Sequence, residues 1–139
     1  MKKPSRISNS SRGQSLVELA ISMMILVMLL SGAVEFGIAF FQFVQLRDAA
    51  QEGALYGALY PDDTSGIIAR VQGASDTPID LATITPTITY SGAPCEGNGI
   101  TVTLTFNHQV FMPFLEVITG GTIPLTATVT DTILTPVCP

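Results

Sequence analysis

The sequence predicts an α+β protein in which a long N-terminal transmembrane helix continues into a small exported domain with a roughly three-stranded antiparallel sheet. Three observations lead there. The run Leu19–Val34 carries no charge, no proline interrupts the chain between Pro4 and Pro61, and the C-terminal half alternates apolar and polar residues with the two-residue period of strands. The organisation that follows is a basic cytoplasmic leader over 1–13, a transmembrane and then amphipathic helix over 14–60, and a strand-rich exported domain over 61–139.

The apolar run reads LAISMMILVMLLSGAV, and beyond Glu35 it resumes as FGIAFFQFVQL up to Arg47. Crossing a hydrocarbon core takes about 20 apolar residues. The uncharged stretch is slightly short of that, so Glu18 or Glu35 must lie near an interface or meet a partner. The two acids stand about 26 Å apart along a helix. Glu35 therefore has two readings: interfacial placement beside Phe36, Phe40 and Phe41, or pairing with another protein. Gly32, Gly37, Gly53 and Gly57 are the weak points of the helix. Its outer half presents Leu46, Ala49, Ala50, Gly53, Ala54, Gly57 and Ala58 at three- and four-residue spacing, a surface suited to close packing against a sheet or another helix.

Charge sets the orientation. Lys2, Lys3, Arg6 and Arg12 precede Gly13 without an acid among them, whereas all eleven acids follow it against only Arg47 and Arg70. The positive-inside rule holds the N-terminus in the cytoplasm and exports the rest, which makes this a single-pass plasma-membrane protein with a periplasmic or extracellular C-terminal domain. The acidic balance, with no basic patch, argues against nucleic acid as a partner.

Past the helix, Pro61-Asp62-Asp63 marks a turn, and Thr64 or Ser65 is positioned to cap a short helix over 66–72 with Ile67, Ile68 and Val71 on its apolar side, ended by Gly73. Ile84, Ile88 and Tyr90 share a face, with Pro86 marking an edge or irregular position. Ile100, Val102, Leu104 and Phe106 alternate with Thr101, Thr103, Thr105 and Asn107, and Leu125, Ala127 and Val129 with Thr126, Thr128 and Thr130. The result is a sheet with one apolar and one threonine-rich face. Between the last two strands, Gln109–Gly121 reads as a loop or short helical turn that either completes the core or meets another subunit.

Cys95 and Cys138 both fall in the exported part, where an even count favours one disulfide over two unpaired thiols. No catalytic constellation emerges. His108 has no nucleophilic motif around it, and the acid pairs Asp62-Asp63 and Asp76/Asp80 sit in turn-rich, solvated sequence. The glycines form no phosphate-binding loop, and neither a metal site nor a cofactor is expected.

Arg12-Gly13-Gln14-Ser15-Leu16-Val17-Glu18 resembles the processing site of type IV pilin-like precursors. The longer stretch from Arg12 to Ala58, with the second element Val34-Glu35-Phe36-Gly37, is similar to the TadE-like family of tight-adherence pilus assembly proteins. The resemblance implies cleavage by a prepilin peptidase between Gly13 and Gln14. It implies an assembly role for Glu18, with Glu35 as the second candidate. The implied partners are the peptidase, other pilin-like subunits, the assembly platform and membrane lipid, and the implied function is that of a non-enzymatic minor pseudopilin of a pilus or related secretion apparatus. The alternative is an uncleaved single-pass envelope protein whose exported domain binds a protein or ligand.

Overall fold

With no proline to interrupt it, the chain stays helical for 49 residues, Ser11–Leu59 (α1), straight through all four of its glycines beyond residue 30. The computed structural model describes residues 11–75 and 77–139. Lys2, Lys3 and Arg6 of the leader, and Asp76, lie outside them. After α1 come α2 (Thr64–Gln72), a 3-10 turn (Leu81–Thr83), β1 (Thr87–Tyr90), β2 (Gly99–Gln109), α3 (Pro113–Thr119) and β3 (Thr122–Thr132). The three strands form one antiparallel sheet in the order β1-β2-β3. The architecture is the α+β arrangement expected from the sequence.

The two halves of α1 have different surroundings. From Gly13 to Leu30 every residue is exposed, Leu26, Leu29 and Leu30 by about two-thirds of their surface. From Glu35 onward one stripe is buried, running through Gln42, Leu46, Ala49, Ala50, Gly53, Ala54, Gly57 and Ala58. Steps of three, four and seven keep those positions on one helical face. They pack against Ile67 and Val71 of α2, Ile79, Leu81 and Ile84 of the connecting segment, and Ile100, Val102 and Leu104 of β2. The small residues are what permit the approach. A Cβ at Gly53 would stand 2.5 Å from Val71 Cγ2, and one at Gly57 would collide with Ile100 Cδ1. Gly32 and Gly37 have nothing within 4 Å, so their space is not used in the same way.

β2 lies against α1 with opposite direction: Ile100 meets Gly57, Val102 meets Gly53, and His108 reaches Gln42 and Glu35. Eleven residues of strand cover about 37 Å, close to the roughly 35 Å of helix from Glu35 to Ala58. Matched lengths let one strand cover the whole buried stripe. On the opposite face of the sheet, threonine hydroxyls pair across β2 and β3: Thr101 with Thr130 at 2.8 Å, Thr103 with Thr128 at 3.1 Å, Thr105 with Thr126 at 3.3 Å. Such cross-strand pairs fix the register on a face that has no core to fix it. β1, preceded by Pro86, is an edge strand.

The end of α1 is tied down from several sides. Tyr90 donates its hydroxyl to Pro61 O at 2.6 Å, Leu134 N to Ala58 O at 2.8 Å, and Thr135 Oγ1 to Leu59 O at 2.7 Å. The cap of α2 is Asp63, not Thr64 or Ser65 as the sequence led one to expect: its Oδ1 accepts from Gly66 N at 2.9 Å and from Ser65 Oγ at 2.7 Å. A carboxylate accepts both bonds at once, which leaves Thr64 free to enter the first turn. Cys95 and Cys138 form a disulfide, with Cα atoms 5.0 Å apart, closing the C-terminal tail onto the turn before β2. Of the pairing and the unpaired-thiol alternative, the structure contains the former.

Candidate functional site: the two carboxylates of the long helix

Glu18 stands on the bare half of α1. It is exposed, as are Gly13 and Gln14 in the first turns. Its Oε1 accepts a hydrogen bond from Gln14 Nε2 at 3.2 Å, four residues earlier on the same face. Among the described residues its one side-chain hydrogen bond is that to Gln14, and Leu16, Val17 and Leu19 beside it are each exposed by more than half. A carboxylate so placed on an apolar helix is costly in hydrocarbon, by about 2.5–3.5 kcal/mol on insertion scales, unless hydration or a neighbouring charge offsets it.

Glu35 is the opposite case. It is 5% exposed, enclosed where the far end of the sheet meets the helix. His108, wholly buried near the end of β2, places Nε2 2.9 Å from Glu35 Oε1 and Nδ1 2.6 Å from Gln42 Oε1. Phe111 N donates to the same Glu35 oxygen at 3.1 Å. Glu35 and Gln42 are seven residues apart, two turns, and so present their side chains to one strand. Both ring nitrogens of His108 are thus within hydrogen-bond distance of a buried side-chain oxygen, Nδ1 of Gln42 Oε1 and Nε2 of Glu35 Oε1. Glu35 thus has its polar partners within the chain, in His108 and the Phe111 amide. Placing an acid in an apolar run works here because β2 carries the one histidine of the chain to it.

Strand periodicity held the signal for this contact. His108 continues the inward series Ile100, Val102, Leu104 and Phe106 by one more step of two. An inward histidine at the end of an apolar face needs polar neighbours, and Glu35 and Gln42 are the polar residues interrupting the helix at that level.

The remaining sites do not converge. Glu18 and Glu35 are about 26 Å apart along α1, and the disulfide lies beyond the opposite end of the helix. Near that end, Asp63 also accepts from Tyr56 hydroxyl at 2.8 Å, and Arg70 lies 5.3 Å from the Tyr56 ring centre. The Gly66 amide, the Ser65 hydroxyl and the Tyr56 hydroxyl together hold the Asp63 carboxyl below its ordinary range, and the bond to Asp63 raises the Tyr56 phenol. These contacts are explained by the capping of α2 and by the packing of the helix end. Among the described residues, no group of three or more histidine, cysteine or acidic side chains is placed to hold a metal ion.

A helix long and apolar enough to cross a membrane, bare along its first half and covered by a small sheet along its second, is consistent with a membrane-anchored protein that carries a docked α+β domain. The family whose sequence model matches is described as TadE-like protein, and the match covers residues 13–55, the stretch that carries the resemblance noted in the sequence. It includes Gly13, Glu18, Glu35 and Gln42 and stops before the sheet. The match relates the chain to pilus assembly. No curated protein and no solved structure matches the chain.

Proposed function

We propose that the chain is a non-enzymatic, pilin-like minor subunit of a tight-adherence pilus or a related secretion apparatus. It is inserted with its N-terminus in the cytoplasm, cleaved by a prepilin peptidase between Gly13 and Gln14, and recruited by other pilin-like subunits and the assembly platform through the exposed half of α1. The observation that carries this reading is the contrast between its two carboxylates. Glu35 is satisfied within the chain, whereas Glu18 lies exposed on a bare apolar helix, where among the described residues Gln14 is its one side-chain hydrogen-bond partner.

Cleavage leaves a cationic amine at Gln14, about 6 Å along the axis from Glu18. A neighbouring subunit's amine then offsets the cost of the carboxylate, so that assembly is favoured over the isolated subunit in lipid. The TadE-like match over the same residues supports the reading independently. The alternative of an uncleaved envelope protein with a ligand-binding domain has no comparable observation behind it.

The test is co-purification from membranes of the native host at matched expression. Glu18→Ala is expected to insert normally and to recover pilus-assembly partners poorly. Equal recovery by wild type and Glu18→Ala would remove the assembly role.

A further inference from the structure

We infer that the β2–β3 connection is a second membrane contact, in which α3 sits among the acyl chains of the leaflet nearer the sheet, alongside the anchor helix. The inference rests on the reading of α1 as membrane-spanning.

Depth is the first argument. The connection leaves the sheet at the level of Glu35, to which Phe111 N is bonded. It does not turn back there. Met112 and Leu115 descend along α1 and, with Met28, Ser31 and Gly32, line an apolar groove of about 430 Å³. Met28 is seven residues below Glu35, about 10 Å along the helix. A hydrocarbon core about 30 Å thick needs some 20 residues of α1. Counted from Gln14, the first residue of the proposed mature chain, the core extends to about Val34; counted from Glu18, to about Ile38. Met28 and Gly32 lie inside it in either placement, and the part of α3 beside them lies inside it too.

Composition is the second argument. A strand-to-strand connection in water is expected to be polar. This one carries Val110, Phe111, Met112, Leu115, Val117 and Ile118, with Glu116 as its single charge. Val110 is buried, but Phe111 is exposed by 71%, Val117 by 86% and Ile118 by 69%. Met112 and Leu115 adjoin the uncovered apolar surface of α1 across the groove, and exposed apolar surface of this kind has the chemistry of a lipid contact. Glu116 is compatible with this depth because its Cγ folds back toward Gly121, at the β3 end of the turn, and so toward the headgroups. The tight return is made by Gly120 and Gly121, both at positive φ (74° and 86°), where a side chain would be strained.

Because the chain has no tryptophan, single reporters can be introduced into the full protein. Val117→Trp, with Ile118→Trp as a second reporter on the same turn, Leu26→Trp on the anchor and Leu134→Trp on the tail would be reconstituted in phosphatidylcholine nanodiscs. Quenching by acyl-brominated lipid is then compared with quenching by aqueous iodide. Expected is at least a twofold loss of emission at positions 117, 118 and 26 with brominated lipid and little with iodide, and the reverse at position 134. Bromine quenching at Leu26→Trp but at neither α3 reporter overturns this inference alone. Shielding of the α3 reporters from both quenchers does the same, by showing a protein-covered surface. No bromine quenching at Leu26→Trp overturns the membrane-anchor reading and this inference with it.

Discussion

His108 Nε2 lies 2.9 Å from Glu35 Oε1, a contact across 73 residues that fastens the far end of β2 to the anchor helix just where the apolar run gives way to the packed stripe. Both residues are almost fully enclosed, so the contact behaves as a latch: intact it costs little, and with one half removed it leaves a buried group without a partner. Glu35→Ala and His108→Ala should each destabilise the domain by about 1–3 kcal/mol. The double replacement Glu35→Ala/His108→Ala should cost less than the sum, with a coupling of at least about 1 kcal/mol in a double-mutant cycle followed by denaturant unfolding in detergent. Strict additivity would show that the two side chains do not act together.

Small residues along α1 should sort by what faces them. Gly57→Val forces a branched side chain into Ile100 and Ile67, and a loss of about 1–3 kcal/mol is expected from overpacking. Gly37→Ala meets open space and should be neutral or stabilise the helix by up to about 1 kcal/mol. Thermal unfolding followed by circular dichroism separates the two, and equal effects would contradict the docking of β2 on this face.

The disulfide holds the tail that caps the end of α1. Cys95→Ser/Cys138→Ser should lower the stability of the exported domain by roughly 2–4 kcal/mol. Hydrogen exchange at Glu96, Gly97, Ile133 and Leu134, whose amides bond across the tied segments, should speed up first. Membrane insertion depends on a different segment and should be unchanged. Unaltered exchange at those amides would show that the bridge does not hold the tail.

Asp63 supplies a pH dependence of defined sign. Its carboxyl is lowered from the ordinary value of 3.8 by the Gly66 amide first, then by the Ser65 and Tyr56 hydroxyls. A carboxylate depressed in the folded state contributes stability that is present above its unfolded pKa and lost as pH falls through the folded one. Carbon-detected titration should give a midpoint below 3.8, with Gly66 amide protection fading over the same range. Asp63→Asn keeps an acceptor at the cap and should remove that pH dependence. A midpoint at or above 3.8 would contradict the capping geometry.

What was legible in the sequence follows from the range of the forces involved. The length of α1 depends on the absence of proline between Pro4 and Pro61, and the three strands on the alternation of apolar residues with threonine; both are local signals. The small-residue stripe from Ala49 to Ala58 announced a close neighbour without saying which, and it is β2 and α2. Asp63 was missed as the cap because Asp63, Thr64 and Ser65 are all good capping residues in succession, and only backbone geometry selects among them. The partner of Glu35 was not legible for a different reason: His108 reaches it from a strand 73 residues away, and that pairing is a property of the folded topology. Glu18 is exposed on the helix, and its proposed role follows from cleavage of the chain before it.

That processing step is settled by intact-mass analysis of the protein purified from membranes of its native host. A mature chain beginning at Gln14, lacking the thirteen residues that end at Gly13, is the expected result, and Gly13→Leu should retain them while still inserting. A chain that keeps Met1, or one that begins beyond residue 25, would contradict the assignment as a processed pilin-like subunit.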